Sequence, residues 1–358
     1  MTNCCVNCFR DRILRDAVRN LNVKGDCDFC GSDGVFVYDF AKNVDIQNRL
    51  LSIIGLYEPY GSSDEGSFRT LAYELTGKWR LFELSEATTS ELLQAMYQKS
   101  PSGTFDGYAV ESLLVGNVRL TEAETGADVE HDWDKFTDHL KYTNRFFVSF
   151  IDLDALGKLI SYTRTICKSG TLLTRARIAR DYRGFDSGKE MGAPPVGLAG
   201  NGRINPVGIS ELYTTLGNDD EADDTALHEI RAGMHDYVTF GKFVLDRTIT
   251  VADLSRIADI SPFDIDESDL TMLASNLGIL NGMSREISKP MRRGDDSLEY
   301  VPSQYIAEFI KSLGYDGVKY SSTLKSGGMN LCLFDSTAYE CSRTYTKRVN
   351  EVMYSTVS

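Results

Sequence analysis

The spacing of apolar residues changes near residue 170. Before that point, apolar positions recur at helical spacing in four stretches, at residues 46–57, 92–97, 133–140 and 153–160. After it, short alternating segments are separated by glycine-rich turns, with helical patterns at residues 269–280 and in a segment that ends at Gly314. The pattern predicts an α+β protein, with a mainly helical domain at residues 41–168 and a domain of strands and helices at residues 169–345.

Within the second region the elements follow one another closely. LLTRARI, residues 172–178, is typical of a strand, whereas residues 185–202 hold five glycines and two prolines and predict an irregular loop. A strand ISELYTT follows, and an acidic run at residues 219–224 leads into a helix at residues 223–233. Strands are predicted at residues 237–251, and MNLCLF, residues 329–334, is predicted to be the last one.

The charge balance bears on the ligand. The chain has 52 acidic and 38 basic residues, a net charge of −14 that repels polyanions and argues against a nucleic-acid partner. Four arginines nevertheless fall within nine residues: Arg175, Arg177, Arg180 and Arg183. A basic cluster in an acidic chain indicates a pocket for a small anion, although the last three arginines fit surface charges better than ligand contacts.

Cellular location is predicted from what the sequence lacks. No apolar run approaches the roughly 20 residues that span a bilayer, and the N-terminal segment MTNCCVNCFRDR has no apolar core of a secretory signal. We therefore expect a cytoplasmic protein without a membrane partner.

Five of the eight cysteines lie in the first 30 residues. Cys5 and Cys8 form one CxxC pair and Cys27 and Cys30 form another, with 18 residues between the pairs, which is the spacing of a four-thiolate zinc site. Cys4 is an alternative ligand to Cys5, and a group of free buried thiols is the alternative to a metal site. A closed site of four cysteines has no open position for substrate, so the prediction is a structural zinc in a ribbon at residues 1–40.

A series of blocks in the C-terminal region resembles the RES domain family. In order, they are RAR at 175–177, GRINPVG at 202–208, YTT at 213–215, TALHE at 225–229, PSQYIAE at 302–308, YDGVKYSS at 315–322 and NLCLF at 330–334. The resemblance covers about residues 172–336, and the cysteine pairs with the helical region look like the accessory domain that precedes some RES domains. It implies an ADP-ribosyltransferase-like mixed sheet and NAD as the substrate.

The resemblance also assigns the site residues. It implies Arg203, Glu229 and Ser322 as catalytic residues, and Arg175, Tyr213 and Asn205 as residues that bind the cofactor. Cleavage of the nicotinamide–ribose bond passes through an oxocarbenium-like state that a carboxylate such as Glu229 stabilises. Arg175 and Arg203 would fork onto the pyrophosphate.

The two other side chains have proposed contacts as well. Tyr213 would stack on nicotinamide, and Ser322 would bind the ribose or the amide. A salt bridge, core packing or a surface position is the structural alternative for each of the assigned residues.

Two positions depart from the family pattern. Many RES domains have an aromatic residue after the first arginine and a tryptophan after the turn arginine, where this chain has Ala176 and Ile204. The leading hypothesis is an NAD glycohydrolase or phosphorylase that acts as a toxin or an anti-phage defence effector. One alternative is a protein ADP-ribosyltransferase. The other is a non-catalytic nucleotide-binding module with the zinc ribbon, and Ala176 and Ile204 support this second alternative. An antitoxin or other regulatory protein and a second copy of the chain are the expected partners.

Overall fold

The computed structural model describes residues 2–43, 45–60, 69–99, 113–114, 117–120, 133–148, 151–186, 188–287, 289 and 297–352. The chain divides into two compact units. One comprises Met1–Asp132 with Asp259–Asn281, and the other comprises Trp133–Ala258 with Gly282–Ser358. Within the described ranges, no helix combines the length and the apolar character needed to cross a membrane.

The first unit has two small sheets and several helices. A three-stranded sheet has the order β1-β3-β2, with β1 Asn3–Cys5, β2 Lys24–Gly25 and β3 Val35–Asp39, and β4 Tyr57–Tyr60 pairs with β5 Asn117–Leu120. The helices are α1 Arg12–Asn20, α2 Asp45–Ile54, α3 Leu71–Tyr73 and α4 Glu86–Lys99, and α3 continues as a π-helical turn, Glu74–Lys78. The division between the units falls inside a long helix, α9 Leu270–Ile287.

The second unit is built on a mixed eight-stranded sheet of order β13-β9-β7-β8-β12-β11-β10-β6. Its strands are β6 Arg164–Cys167, β7 Leu172–Ala179, β8 Leu212–Leu216, β9 Tyr237–Leu245, β10 Ile249–Asp253, β11 Gly317–Ser321, β12 Met329–Leu333 and β13 Tyr339–Arg348. β10 and β11 are parallel, and the other neighbours are antiparallel. The helices of this unit are α5 Trp133–Tyr142, α6 Leu153–Ser161, α7 Gly188–Met191, α8 Asp220–Glu229 and α10 Val301–Ser312.

Both faces of the central strands are covered by apolar side chains. On β9, Val238 and Phe240 pack with Ala226 of α8, while Phe243 and Leu245 pack with Met191 of α7 on the opposite face. Alternation along one strand thus fixes α8 on one side of the sheet and α7 on the other. The face under α8 is the one that carries the candidate site.

The predicted α+β class with a mixed sheet is confirmed, and two local predictions were wrong. The loop at residues 185–202 contains the four-residue helix α7, and β13 follows the strand that was predicted to be the last one. β6, which the boundary at residue 168 assigned to the accessory domain, pairs with β10 in the large sheet. The division into three domains itself stays a prediction.

Candidate active site

A cavity of about 400 Å³ lies where β7 and β8 separate. β7 pairs with β8 only at Leu173 and Thr174, and from Arg175 onward it pairs with β9 alone. The opening between the two strands exposes side chains from both of them, and α8 lies beside it. The cavity is lined by three arginines, one glutamate and polar side chains of the central strands, including Arg175, Arg203, Arg231, Glu229, Tyr213, Tyr320 and Asn330.

Glu229 is the last residue of α8, and two contacts hold that helix in place. The Asp219 side chain caps the helix by accepting a hydrogen bond at 2.9 Å from the N–H three residues later. The Asp223 carboxylate accepts a hydrogen bond at 2.5 Å from the buried Nζ of Lys242 on β9. Burial raises the pKa of Asp223, but hydrogen bonds from Lys242 and Tyr345 outweigh it and hold that pKa below its ordinary value. The helix carrying Glu229 is therefore tied to the sheet by a buried ion pair.

The two oxygens of the Glu229 carboxylate have different surroundings. Ser322 Oγ donates to Oε1 at 2.5 Å, and Asn330 Nδ2 donates to the same Oε1 at 2.8 Å. The serine hydroxyl also accepts from the N–H groups of Leu324 and Lys325, which directs its proton to the glutamate. Oε2 has no hydrogen-bond partner among the described residues. One oxygen is thus held by two donors, and the other is left for a ligand.

Arg203 lies on a tight turn that its neighbours hold by hydrogen bonds. The Tyr213 hydroxyl accepts from the N–H groups of Ile204 and Asn205 and donates to the Asn205 side chain at 2.7 Å. A Cβ on Gly202 would lie 2.7 Å from that same hydroxyl, so only glycine fits there. The turn is pre-formed, which fixes where the arginine backbone lies.

α10 supports the same turn from the other side. Gln304 donates to the carbonyl oxygens of Gly202 and Asn205, at 2.7 and 3.0 Å, and Ser303 Oγ donates to the Arg203 carbonyl oxygen at 2.6 Å. The Arg203 guanidinium donates through Nη1 to the carbonyl oxygen of Ile287, at 2.5 Å, near the end of α9. Ser303 and Gln304 of the PSQYIAE block therefore hold the backbone of the turn that carries Arg203 by hydrogen bonds.

Arg175 is held at the point where the strands part. Its Nη1 donates to the carbonyl oxygen of Gly192 at 2.7 Å. Burial lowers the pKa of Arg175 to about 10, with a further contribution from nearby Arg177, so the guanidinium stays charged at neutral pH. The other clustered arginines lie away from the cavity lining: Arg177 stacks on Phe185 at 4.3 Å, and the remaining two are exposed.

The structure brings most of the predicted site residues together. Arg175, Arg203, Tyr213 and Glu229 line one cavity, and Ser322 contacts Glu229 from behind it. Asn205 is buried, and its amide donates to three carbonyl oxygens of its own loop, so its polar atoms face the turn instead of the cavity.

The two departures from the family pattern have different locations. Ala176 lines the cavity, whereas Ile204 is fully buried in the turn and is not among the lining residues. Only the alanine therefore alters the surface that a ligand would touch.

Sequence reasoning missed Asn330, Tyr320 and Arg231. Asn330 is 2% exposed and sits between Met329 and Leu331 in an otherwise apolar strand, and a lone polar residue in such a strand is the signal that could have marked it. Tyr320 lies opposite Asn330 on β11, and burial raises its pKa well above the ordinary value. Both residues complete the inner wall beside Glu229.

Four thiols of the first unit form a candidate metal centre. The Sγ atoms of Cys5, Cys8, Cys27 and Cys30 all lie within 4.8 Å of one another, and three of the pairs are 3.4, 3.5 and 3.7 Å apart. A tetrahedral ion with Zn–S bonds of about 2.3 Å needs sulfur pairs about 3.8 Å apart, which this arrangement nearly has. Cys4 is buried and its thiol contacts that of Cys8, but it is not one of the four thiols that make up the group.

Comparison with known proteins comes from sequence families and from solved structures. The RES domain family matches residues 173–353, which is half of the chain. No curated protein sequence matches it. The crystal structure of the M. tuberculosis MbcT–MbcA toxin–antitoxin complex is similar over 56% of this chain and 94% of that chain, with 13% sequence identity and a TM-score of 0.31. On the family match, the chain belongs to the RES domain family, a family of NAD-processing enzymes.

Proposed function

We propose that the chain is an NAD-degrading enzyme that cleaves the bond between nicotinamide and ribose. The observation that carries the proposal is the Glu229 carboxylate, held through Oε1 by Ser322 and Asn330 with Oε2 unengaged among the described residues, in a cavity with arginines. A fixed carboxylate beside cationic groups suits a substrate that has a pyrophosphate and develops positive charge on its ribose during reaction.

Binding and chemistry are divided between the two kinds of residue. Arg175 and Arg203 each use one Nη1 atom on a backbone carbonyl, so their other N–H groups can bind the pyrophosphate. As the bond to nicotinamide breaks, positive charge builds on the ribose, and Glu229 Oε2 stabilises it by attraction at short range. Ser322 then acts by positioning Glu229, a role different from the predicted contact with ribose or amide.

The product depends on the acceptor, which is water in a glycohydrolase and phosphate in a phosphorylase. In a cell, continuous cleavage would drain NAD and stop growth, and we propose the role of a cytoplasmic toxin or defence effector that an antitoxin restrains. Transfer of ADP-ribose to a protein is the alternative outcome of the same bond cleavage. NAD labelled in the adenylate distinguishes them, since transfer makes the label acid-precipitable in cell extract and hydrolysis or phosphorolysis does not.

The direct experiment is incubation of purified protein with NAD, with nicotinamide release followed by chromatography in buffers with and without phosphate. The proposal predicts release of free nicotinamide together with ADP-ribose or its phosphorylated form. Unchanged NAD after incubation with folded protein that binds the dinucleotide would favour the non-catalytic alternative.

We also propose that Cys5, Cys8, Cys27 and Cys30 hold a structural zinc. A closed set of four thiolates supplies no open coordination position, so the ion would cross-link the first unit and take no part in the reaction. The Cys5 N–H donates to Cys27 Sγ at 3.4 Å, a contact that favours the thiolate form an ion requires.

A further inference from the structure

Arg231 lines the cavity, but neither the family pattern nor the proposed reaction accounts for it. It lies two residues after Glu229, and its backbone has a φ of 51°, in the left-handed region. α8 ends at Glu229 and Ile230 keeps helical angles, so Arg231 occupies the position after a helix where glycine is most common. A side chain at such a position strains the backbone, and strain of this kind concentrates at functional sites.

Four non-glycine residues of the described chain have a positive φ, and only one of them lines the cavity. They are Asn22, Arg80, Arg231 and His235. A glycine at position 231 would relieve the strain but remove the guanidinium. The retained arginine therefore points to a use for its side chain.

The charge of the cavity supports a use in binding an anion. Three guanidinium groups and one carboxylate line it, a surplus of two positive charges in a chain whose net charge is −14. Two positive charges match the two negative charges of a dinucleotide pyrophosphate. Without Arg231 the surplus would be one positive charge, against the two negative charges of the pyrophosphate.

We propose that Arg231 is a substrate-binding residue that contacts the pyrophosphate of the dinucleotide. In NAD, the ribose that bears nicotinamide is joined directly to one of the two phosphates. A residue two positions from Glu229 can reach that phosphate while the glutamate faces the reacting carbon of the same ribose. The left-handed backbone places Arg231 directly after the C-cap of α8. This inference rests on the proposed function and adds a residue to it.

The test compares Arg231→Gly with the parent in calorimetric titrations of two ligands. ADP-ribose contains the pyrophosphate and nicotinamide riboside does not. We expect the variant to bind ADP-ribose about tenfold more weakly, the loss typical of one charge-assisted contact, and to bind nicotinamide riboside as the parent does. Because glycine relieves the left-handed strain, the melting temperature should not fall.

Two control variants separate this role from general effects. His235→Gly removes a left-handed side chain at an exposed position outside the cavity lining, and Arg183→Ala removes one positive charge from the surface. Both should bind ADP-ribose as the parent does. Three results would overturn the inference about Arg231 and leave the proposed function standing. They are parent-like binding of ADP-ribose by Arg231→Gly, an equal loss of affinity for both ligands in that variant, and a loss of ADP-ribose affinity in Arg183→Ala that matches it. A parent chain that binds neither ADP-ribose nor NAD would overturn the proposed function as well.

Discussion

Asn330 holds one oxygen of the Glu229 carboxylate, and replacing it tests whether that positioning matters. Asn330→Ala removes the Nδ2 donor that lies 2.8 Å from Oε1 and leaves Ser322 as the remaining donor. A hydrogen bond to a charged group contributes about 1.5–3 kcal/mol. If that energy is lost in the transition state, kcat falls about 10- to 150-fold. KM should change little, because the lost contact is to the glutamate.

The assay is the initial rate of nicotinamide release over a range of NAD concentrations, with kcat and KM fitted separately. Asn276→Ala is a matched control: Asn276 is 3% exposed, its amide donates to the Met272 carbonyl oxygen at 2.8 Å, and it is not among the residues that line the cavity. The control variant should keep the parent kcat while losing stability. In a Glu229→Gln background, Asn330→Ala should lower kcat by a smaller factor than in the parent and by at most about tenfold, because a neutral partner forms a weaker hydrogen bond.

Two results would refute this reasoning. A kcat for Asn330→Ala within twofold of the parent would mean that the contact does not position a reacting group. Equal losses in the parent and in the Glu229→Gln background would mean that Asn330 acts independently of Glu229.

Three further predictions concern other parts of the molecule. Arg203→Ala should raise the Kd for ADP-ribose about 10- to 100-fold in calorimetry, since the phosphates lose a forked donor; an unchanged Kd would remove the residue from the binding site. Elemental analysis should find about one zinc per chain, and replacing both Cys27 and Cys30 by serine should abolish the metal and unfold the first unit by circular dichroism; metal-free folded parent protein would contradict the zinc site. Burial raises the pKa of Glu211 to about 7, so the folded state binds the extra proton between about pH 4.5 and 7 and the parent loses stability as pH rises through this window. Glu211→Gln should remove about 3 kcal/mol of that loss at pH 8 and flatten the dependence of the melting temperature on pH, whereas parallel curves for the two proteins would contradict the assignment.

Local patterns predicted the elements that carry the site. The acidic run indicated the helix that bears Glu229, and two short segments, LLTRARI and ISELYTT, indicated the strands that bear Arg175 and Tyr213. The helix that bears Glu229 begins at Asp220 and not at residue 223, because Asp219 is its N-cap. The rest of the acidic run therefore belongs to the helix. The blocks that resemble the RES domain then indicated that these residues lie close together in the folded protein, which the spacing of apolar residues alone does not show.

Other features depend on pairings that sequence does not encode locally. Asn330 reaches Glu229 because β12 lies between β8 and β11 in one register, which brings residues 101 positions apart within hydrogen-bond distance. β13 was missed because YECSRTYTKR is mostly polar, with apolar or aromatic residues only at Tyr339, Cys341 and Tyr345. It pairs only with β9 at the sheet edge, where charged side chains are common.

Backbone conformation is a second source of unpredicted features. The left-handed angles of Arg231 follow from how the chain leaves α8, and an arginine gives no signal of them. The choice between Cys4 and Cys5 was open for a similar reason, since it depends on which of two adjacent thiols lies close to all three of the others, Cys8, Cys27 and Cys30.

The central claim is that Glu229 stabilises positive charge on the ribose as the nicotinamide bond breaks. The most direct measurement is single-turnover cleavage of NAD by the parent and by Glu229→Gln, with the Kd for NAD measured in parallel. The variant keeps the hydrogen-bonding shape of the side chain and loses its charge, so we predict a rate lower by about two to four powers of ten at a nearly unchanged Kd. Cleavage by Glu229→Gln at the parent rate would contradict the account, and the carboxylate would then have to be sought elsewhere, first in the acidic run at residues 219–224.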